Sequence, residues 1–403
     1  MNILYLTLTD MSNMHEKSIY HDFVNELKLR GHDMTVVCPA EKRKGGNTER
    51  FISNSCTVLK VKIGDITKTS FVKKGINTLR VGSVLLKAIN KMLPDKHFDL
   101  IIYLTPPITF NSLVTALKKK HRAKAYLLLK DIFPQNAVDL SLFRKYGPIY
   151  QLFRFQEKQL YRISDYIGGM SEENIQSIKR HNKIKAKTQI VRNAIFEQDY
   201  SKSRIHQRSL KAKLKLNPNK KLFIYGGNLG IPQGVEYIKG VMSRFHEIPD
   251  SQLLIAGNGT HFNDIKAYAA TLNNDDIIVK DSLPRDEYDQ LVAIADVGLI
   301  FLDHRFTIPN YPSRLASLLN ARLPILAATD KNTDLKDELV AYECGFWNES
   351  TDVDAFITNA KRLIEEPIFS QYQKNAYRFF KEEFRIEDNI DRLLELVMDK
   401  GDV

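Results

Sequence analysis

The feature that most limits the fold is a repeated alternation of short apolar runs with longer amphipathic stretches. Residues 2–8, 34–39, 57–63, 99–105, 125–130, 166–171 and 188–193 read as strands. Helical patterns lie between them near 17–30, 71–93, 108–121, 148–163 and 172–181. The scheme then repeats, with strands at 221–227, 251–257, 276–281, 297–302 and 323–328. Helices are expected at 233–245, 260–272, 284–294, 312–320, 334–342 and 352–366. Such alternation builds parallel sheets covered by helices on both faces, and 403 residues are too many for one ordinary core. The expected fold is therefore α/β, with two Rossmann-like domains at 1–197 and 198–375. The polar, turn-rich stretch 197–220 joins them. The tail 367–400 reads as helix, and 376–403 is expected to cross back toward the first domain.

Several classes drop out. The three cysteines, Cys38, Cys56 and Cys344, are far apart and form no CxxC pair. That argues against a zinc site or a disulfide framework and suits a reducing compartment. The opening MNILYLTLTD lacks a basic n-region and reads as a buried strand, not a signal peptide. The longest apolar stretch, 98–117, is broken by Asp99, Pro106, Pro107 and Asn111, so no membrane span is expected.

The charge is lopsided. Of the net +11, residues 1–200 hold 33 Lys and Arg against 18 Asp and Glu. A half this basic points to an anionic partner, either a membrane surface or a nucleic acid, or is simply a solvated lysine-rich surface. The helix 71–93 mixes Lys73, Lys74, Arg80, Lys87 and Lys91 with apolar residues. It suits an anionic membrane, or a core-packed helix with a lysine-covered outer face, the reading that Gly75 and Gly82 favour by weakening a strong free helix. No aromatic stacking pattern accompanies the cations, which disfavours nucleic acid.

The stretch 221-KLFIYGGNLGIPQGVEYI-238 places three glycines within five residues, between a strand and a helix. A backbone there must come close to something, and a phosphate is the usual guest. The turn is not a Walker A loop, and the first βα turn, 7–18, has no glycine for a dinucleotide fingerprint. Two further strand ends, 256-AGNG-259 and 301-FLDHRF-306, precede 309-PNYPSRLASLL-319. Ligands of open α/β sheets bind beyond the carboxyl ends of strands. Gly227, Asn228, Gly230, Gly257, Asn258, Ser313 and Arg314 are thus expected in one cleft. Ser313, at an expected helix N-terminus, would stand beside the forked Arg314 cation, a pairing that suits a pyrophosphate.

These motifs in this order, with the SLPRDEYDQLVAIADVGLIFL and PSRLASLLNARLPILA segments, resemble the C-terminal half of retaining GT-B glycosyltransferases of family 4. The likeness is to the branch that builds bacterial O-antigen and capsular polysaccharide, including N-acetyl-fucosamine transferases. In the first half, 128-LLKDIFPQNAVDL-140 resembles that branch's DLWP segment. The resemblance implies a GT-B fold of two facing Rossmann-like domains with a C-terminal crossover helix. It implies a hexosyl-type transferase with a UDP-sugar donor in the second domain and an acceptor in the first. The anomeric configuration is retained, and neither metal nor other cofactor is needed.

Residue by residue, the resemblance sets Gly227, Asn228 and Gly230 near the donor phosphates or sugar, and Arg314 on the diphosphate. The 282-SLPR-285 loop, with Arg285, borders the base, and Asp131 lies on the acceptor side. Asp131 and His15 are candidates for positioning the acceptor. The family's Glu-x7-Glu pair falls here on Pro309 and Ser317, so both acids are missing. Asp303, His304 and Tyr311 become candidate substitutes. The implied acceptor is a saccharide on a polyprenyl diphosphate, and the implied location is cytoplasmic, peripheral on the inner face of the membrane. A UDP-sugar 2-epimerase of the same fold, or a non-catalytic nucleotide- or nucleic-acid-binding protein, are the alternatives.

Overall fold

A computed structural model describes residues 1–66 and 71–399. The chain divides into two compact units, Met1–Ala194 with the chain from Ile386 onward, and Ile195–Arg385.

The first unit contains β1 (Asn2–Leu6), α1 (Ile19–Leu29), β2 (Asp33–Glu41), β3 (Glu49–Ser53), β4 (Cys56–Ile63), α2 (Phe71–Met92) and β5 (Leu100–Leu104). It continues through α3 (Asn111–His121), β6 (Lys124–Leu129), α4 (Gln135–Asp139), α5 (Pro148–Ile163), β7 (Tyr166–Gly169), α6 (Glu172–His181) and β8 (Lys187–Ile190). The sheet order is β3-β4-β2-β1-β5-β6-β7-β8. Its central strands β1, β5 and β6 are buried on both faces, which is why they read as continuous apolar runs. β3 alone is antiparallel, a hairpin arm joined to β4 through Asn54 and Ser55. Both turn residues have positive φ, 46° and 60°, as a two-residue turn matched to strand twist requires. β1 and β5 mark the point where the strand order reverses.

The stretch 71–93 is core-packed where it is described. Val81, Leu85 and Ile89, four residues apart, are buried, and α2 packs on β4 and α3. The side chains of Phe71, Val72, Lys73, Lys74 and Ile76 lie outside the described residues.

The second unit begins with α7 (Ser201–Ile205) and α8 (Gln207–Lys213), inside a stretch expected to be a plain join. Lys211 clamps them to the sheet. Its Nζ is 2.7 Å from Asp296 Oδ2, which also accepts the Leu222 N–H at 2.8 Å. Then come β9 (Lys221–Gly226), α9 (Val235–Arg244), β10 (Ser251–Ala256), α10 (Phe262–Thr271), β11 (Ile277–Lys280), α11 (Arg285–Ile294) and β12 (Val297–Phe301). The unit closes with α12 (Leu315–Asn320), β13 (Ile325–Thr329), α13 (Leu335–Tyr342), β14 (Gly345–Glu349), α14 (Val353–Leu363) and α15 (Ile368–Glu383). All six strands are parallel, in the order β11-β10-β9-β12-β13-β14. This is the doubly wound arrangement with its switch point between β9 and β12. Those two strands pair only at Val297 with Phe223 and Gly298 with Ile224, so their ladder stops short of their C-terminal ends.

The tail is not one helix. α15 stops at Glu383, and α16 (Ile386–Met398) starts after a break. α16 belongs to the first unit: it packs on α1, its Asn389 Oδ1 accepts the Arg192 N–H at 2.9 Å, and Asp391 pairs with Arg30 at 2.6 Å. Among the described residues, no helix is long and apolar enough to cross a membrane.

Candidate functional site

In the second unit the switch point is built from the end of β9. Phe223 and Tyr225 share the sheet face that packs on Phe301, Tyr237 and Phe356. Tyr225 is held at both ends. Its ring lies 5.4 Å from that of Phe301, and its hydroxyl donates to the Asn228 carbonyl at 2.8 Å. Above this ring lies Arg314, with its guanidinium carbon 4.4 Å from the ring centroid, a cation–π contact. Gly227 makes room for it. A Cβ there would stand 2.7 Å from Arg314 Nη2, and its φ of 146° is one that L side chains rarely adopt.

Arg314 Nη1 is buried and makes no hydrogen bond among the described residues. The hydroxyl of Tyr288, on α11, is likewise buried and unpartnered. It would lie 2.0 Å from a Cβ on Gly226. Burial pushes this phenol up to about 12, while the charges of Arg314 and Arg285 pull the other way. The turn thus gathers two buried donors, one cationic, without an acceptor for either. A buried cation with an unmet N–H is stabilised by an anionic oxygen.

The neighbouring glycines answer a packing need. A Cβ on Gly257 would meet the Gly227 carbonyl oxygen at 1.8 Å, and the Gly227 N–H donates to Ala256 at 2.9 Å. The glycines at the ends of β9 and β10 let the two turns lie backbone to backbone. Asn228 and Gly230 are pinned through Gln233, whose Oε1 accepts from Asn228 Nδ2 at 2.7 Å and Gly230 N at 3.3 Å. Gly227 and Asn228 remain exposed. Asn258 donates to Asp281 at 2.6 Å, and Arg285 pairs with Asp289 at 2.9 Å on its own helix.

The region before α12 departs from expectation. That helix starts at Leu315 and is six residues long, so Ser313 does not occupy its N-cap. Ser313 is exposed, and Arg314 takes the cap position without a side-chain cap bond. Of the candidate substitutes for the missing acids, Asp303 is buried and gripped by Arg305 at 2.8 and 2.9 Å. Burial pushes its carboxyl up, but the Arg305 bonds outweigh this and hold it below the usual carboxylate range. The Asp303 N–H donates to Pro232 at 2.9 Å, which brings it against the glycine turn. His304 is exposed beside it. Tyr311 is buried, with its hydroxyl bonded to Glu338 and its ring stacked on Phe384.

In the first unit Asp131 follows β6, at the carboxyl edge of the sheet. The Thr105 hydroxyl, from the end of β5, accepts the Lys130 N–H at 3.0 Å and donates to the Asp131 carbonyl at 3.1 Å. Lys130 Nζ donates to Asn193 Oδ1 at 2.7 Å. Burial pushes the Asp131 carboxyl up to about 7, with the Lys130 charge opposing it. The same burial draws Lys130 down. No hydrogen bond to the Asp131 carboxylate forms among the described residues. Tyr20 lies near enough for the Asp131 charge to raise its phenol, after burial itself. His15 is exposed, in a turn tied toward β3 by the Met14 N–H to Ser53 Oγ at 3.0 Å. Sequence reasoning missed Tyr225, Tyr288, Lys130 and Tyr20. Their residue types gave no signal, since each lies in a stretch already explained as strand or helix.

Comparison with known proteins fits this geometry. Residues 206–380 match the family profile of glycosyl transferases group 1. That match covers the turn, Arg314 and Tyr288 together. No curated protein matches the chain. Among solved structures, sucrose-phosphate synthase from Thermosynechococcus elongatus aligns with a TM-score of 0.75 at 13% identity, covering 99% of each chain. Anabaena HepE in complex with UDP aligns at 0.69 and 12% identity, over 99% of this chain and 100% of that one. WaaG, a glycosyltransferase involved in lipopolysaccharide biosynthesis, aligns at 0.67 and 12%, over 99% and 100%. The fold is GT-B. The group 1 match and the GT-B fold together support a role in glycosyl transfer.

Proposed function

We propose that the chain is a retaining glycosyltransferase of bacterial surface-polysaccharide assembly. It moves a sugar, an N-acetylated amino or deoxyamino sugar, from a UDP-sugar to a saccharide carried on a polyprenyl diphosphate. It works at the cytoplasmic face of the cell membrane, with that anionic surface as a partner. The observation that carries this reading is Arg314, a half-buried cation seated on Tyr225 beneath the Gly227 turn, whose buried Nη1 makes no hydrogen bond among the described residues.

The chemistry follows from that arrangement. Breaking the bond between sugar and diphosphate leaves positive charge on the sugar and negative charge on the leaving oxygen. Arg314 is fixed before the reaction, so it stabilises the developing charge without reorganising. The Tyr288 hydroxyl supplies a second donor, and the exposed backbone of Gly227 and Asn228 lets the phosphates approach. With transfer on the retained face, the leaving phosphate oxygen can accept the acceptor's proton, so no side-chain base is required, and Asp131 is proposed to orient the acceptor. Charge neutralisation by Arg314 makes the reaction metal-independent. The UDP in the HepE structure supports a uridine nucleotide, and the part WaaG plays in lipopolysaccharide biosynthesis supports surface polysaccharide.

The test is incubation with UDP-N-acetylhexosamines and a synthetic polyprenyl-diphosphate saccharide. A product extended by one sugar, with the donor's anomeric configuration by NMR, is expected. Conversion of the UDP-sugar without acceptor would instead establish the epimerase.

A further inference from the structure

We infer that α5 and the loop before it form the surface by which this chain docks on an anionic lipid bilayer. The inference rests on the membrane partner proposed above and assigns it a place other than the basic stretch 71–93.

Eleven large apolar side chains are exposed among the described residues, and five of them fall between positions 142 and 155. Leu142, Tyr146, Ile149, Leu152 and Phe155 are between 44% and 70% exposed. Ile149, Leu152 and Phe155 follow one another at intervals of three along α5, while Tyr150, Glu157, Leu160 and Tyr161 fill its buried side. The loop holds its apolar residues outward by its backbone. Tyr146 has φ of 62°, in the left-handed region that bulky residues avoid. The clustering calls for a partner, because isolated exposed apolar residues are ordinary and grouped ones are not.

Charge identifies the partner. Arg144, Lys145, Lys158 and Arg162 are exposed around these side chains, and none forms an ion pair among the described residues. The one carboxylate between 141 and 163, Glu157, is buried and bonded to Arg154 and Tyr161. The segment 141–163 thus offers exposed apolar side chains and exposed cations, with no exposed anion of its own. A second copy packed symmetrically on it would set like charges against like. An anionic bilayer meets both demands, taking the apolar side chains among its acyl chains and the cations at its head groups.

The face also continues into the acceptor segment. Phe133, two residues after Asp131, has its ring 5.8 Å from that of Phe143 and 5.1 Å from that of Phe153 on α5. A lipid-anchored acceptor in the docked bilayer would therefore present its head group beside Asp131.

The test is co-sedimentation of the whole chain with vesicles of phosphatidylglycerol and phosphatidylcholine, against phosphatidylcholine alone. Wild type is expected on the anionic vesicles, with part of the binding surviving high salt because the apolar contacts are unscreened. The triple variant Ile149→Ser, Leu152→Ser, Phe155→Ser should lose at least about tenfold in partition, with melting temperature and UDP affinity unchanged. The pair Lys158→Glu, Arg162→Glu should lose binding to anionic vesicles at low salt. Unchanged partition of the triple variant overturns the inference. So does a wild-type dimer that the triple variant turns into monomer. A chain that binds vesicles but transfers no sugar keeps this surface and removes only the earlier reading. One that extends a water-soluble acceptor yet ignores vesicles does the reverse.

Discussion

The guanidinium of Arg314 lies where a side chain on Gly227 would stand: a Cβ added there would be 2.7 Å from Nη2. The glycine is required twice over, by its φ of 146° and by the cation it accommodates. Gly227→Ala should push the guanidinium off the Tyr225 ring. UDP affinity is expected to fall at least about tenfold, with roughly 1–3 kcal/mol of stability lost through strain and crowding. Calorimetry and urea denaturation separate the two effects. An alanine variant that binds UDP normally would show that Arg314 has no need of this seat.

Asp131 should leave a mark on the pH dependence of stability. Burial raises its folded carboxyl from an ordinary 3.8 to about 7, against the pull of Lys130. The folded state then holds that proton more tightly than the unfolded state. Its contribution to stability is complete below about 3.8 and is lost as pH rises through about 7. Melting temperatures of Asp131→Asn should lack this fall between those values. Parallel curves for wild type and variant would show that Asp131 ionises normally.

Lys211 and Asp296 test what holds α7 and α8 to the second sheet. Both are buried and 2.7 Å apart. Lys211→Ala strands the Asp296 charge and should cost roughly 3–5 kcal/mol. Adding Asp296→Asn should recover part of that loss, since the stranded charge is then gone. A cost below about 1 kcal/mol in denaturant melts, the range of an exposed ion pair, would mean that the clamp is loose.

Metal dependence follows from the role of Arg314. Transfer after dialysis against EDTA is expected to proceed at the undialysed rate. A rate restored only by added magnesium or manganese would move charge neutralisation from Arg314 to the ion.

The two sheets and the glycine turns were legible because doubly buried parallel strands are unbroken apolar runs that end at glycines. β3 was not, since its turn is Asn54-Ser55 and lacks the glycine that usually marks a tight hairpin. The break before α16 contains Phe384 and Arg385, with neither Gly nor Pro to announce it. Arg314 was legible as a cation beside a phosphate-like turn. Its seat on Tyr225 and the approach of Tyr288 were not, because both depend on how α11 and the stretch before α12 meet the end of β9. His15 carries no local pattern that fixes where its turn leads. The Met14 N–H bond to Ser53 Oγ ties that turn toward β3, and the charge of Asp131 bears on Tyr20.

The role proposed for Arg314 is to bind the diphosphate of a uridine nucleotide. Calorimetric titration of metal-free wild type and Arg314→Ala with UDP tests it most directly, with GDP, ADP and NADH as controls. Wild type is expected to bind UDP selectively. A loss of roughly 2–4 kcal/mol is expected in the variant, not repaired by Arg314→Lys, which lacks the planar fork. Equal UDP affinity in wild type and Arg314→Ala, or a wild type that prefers NADH, would contradict that role.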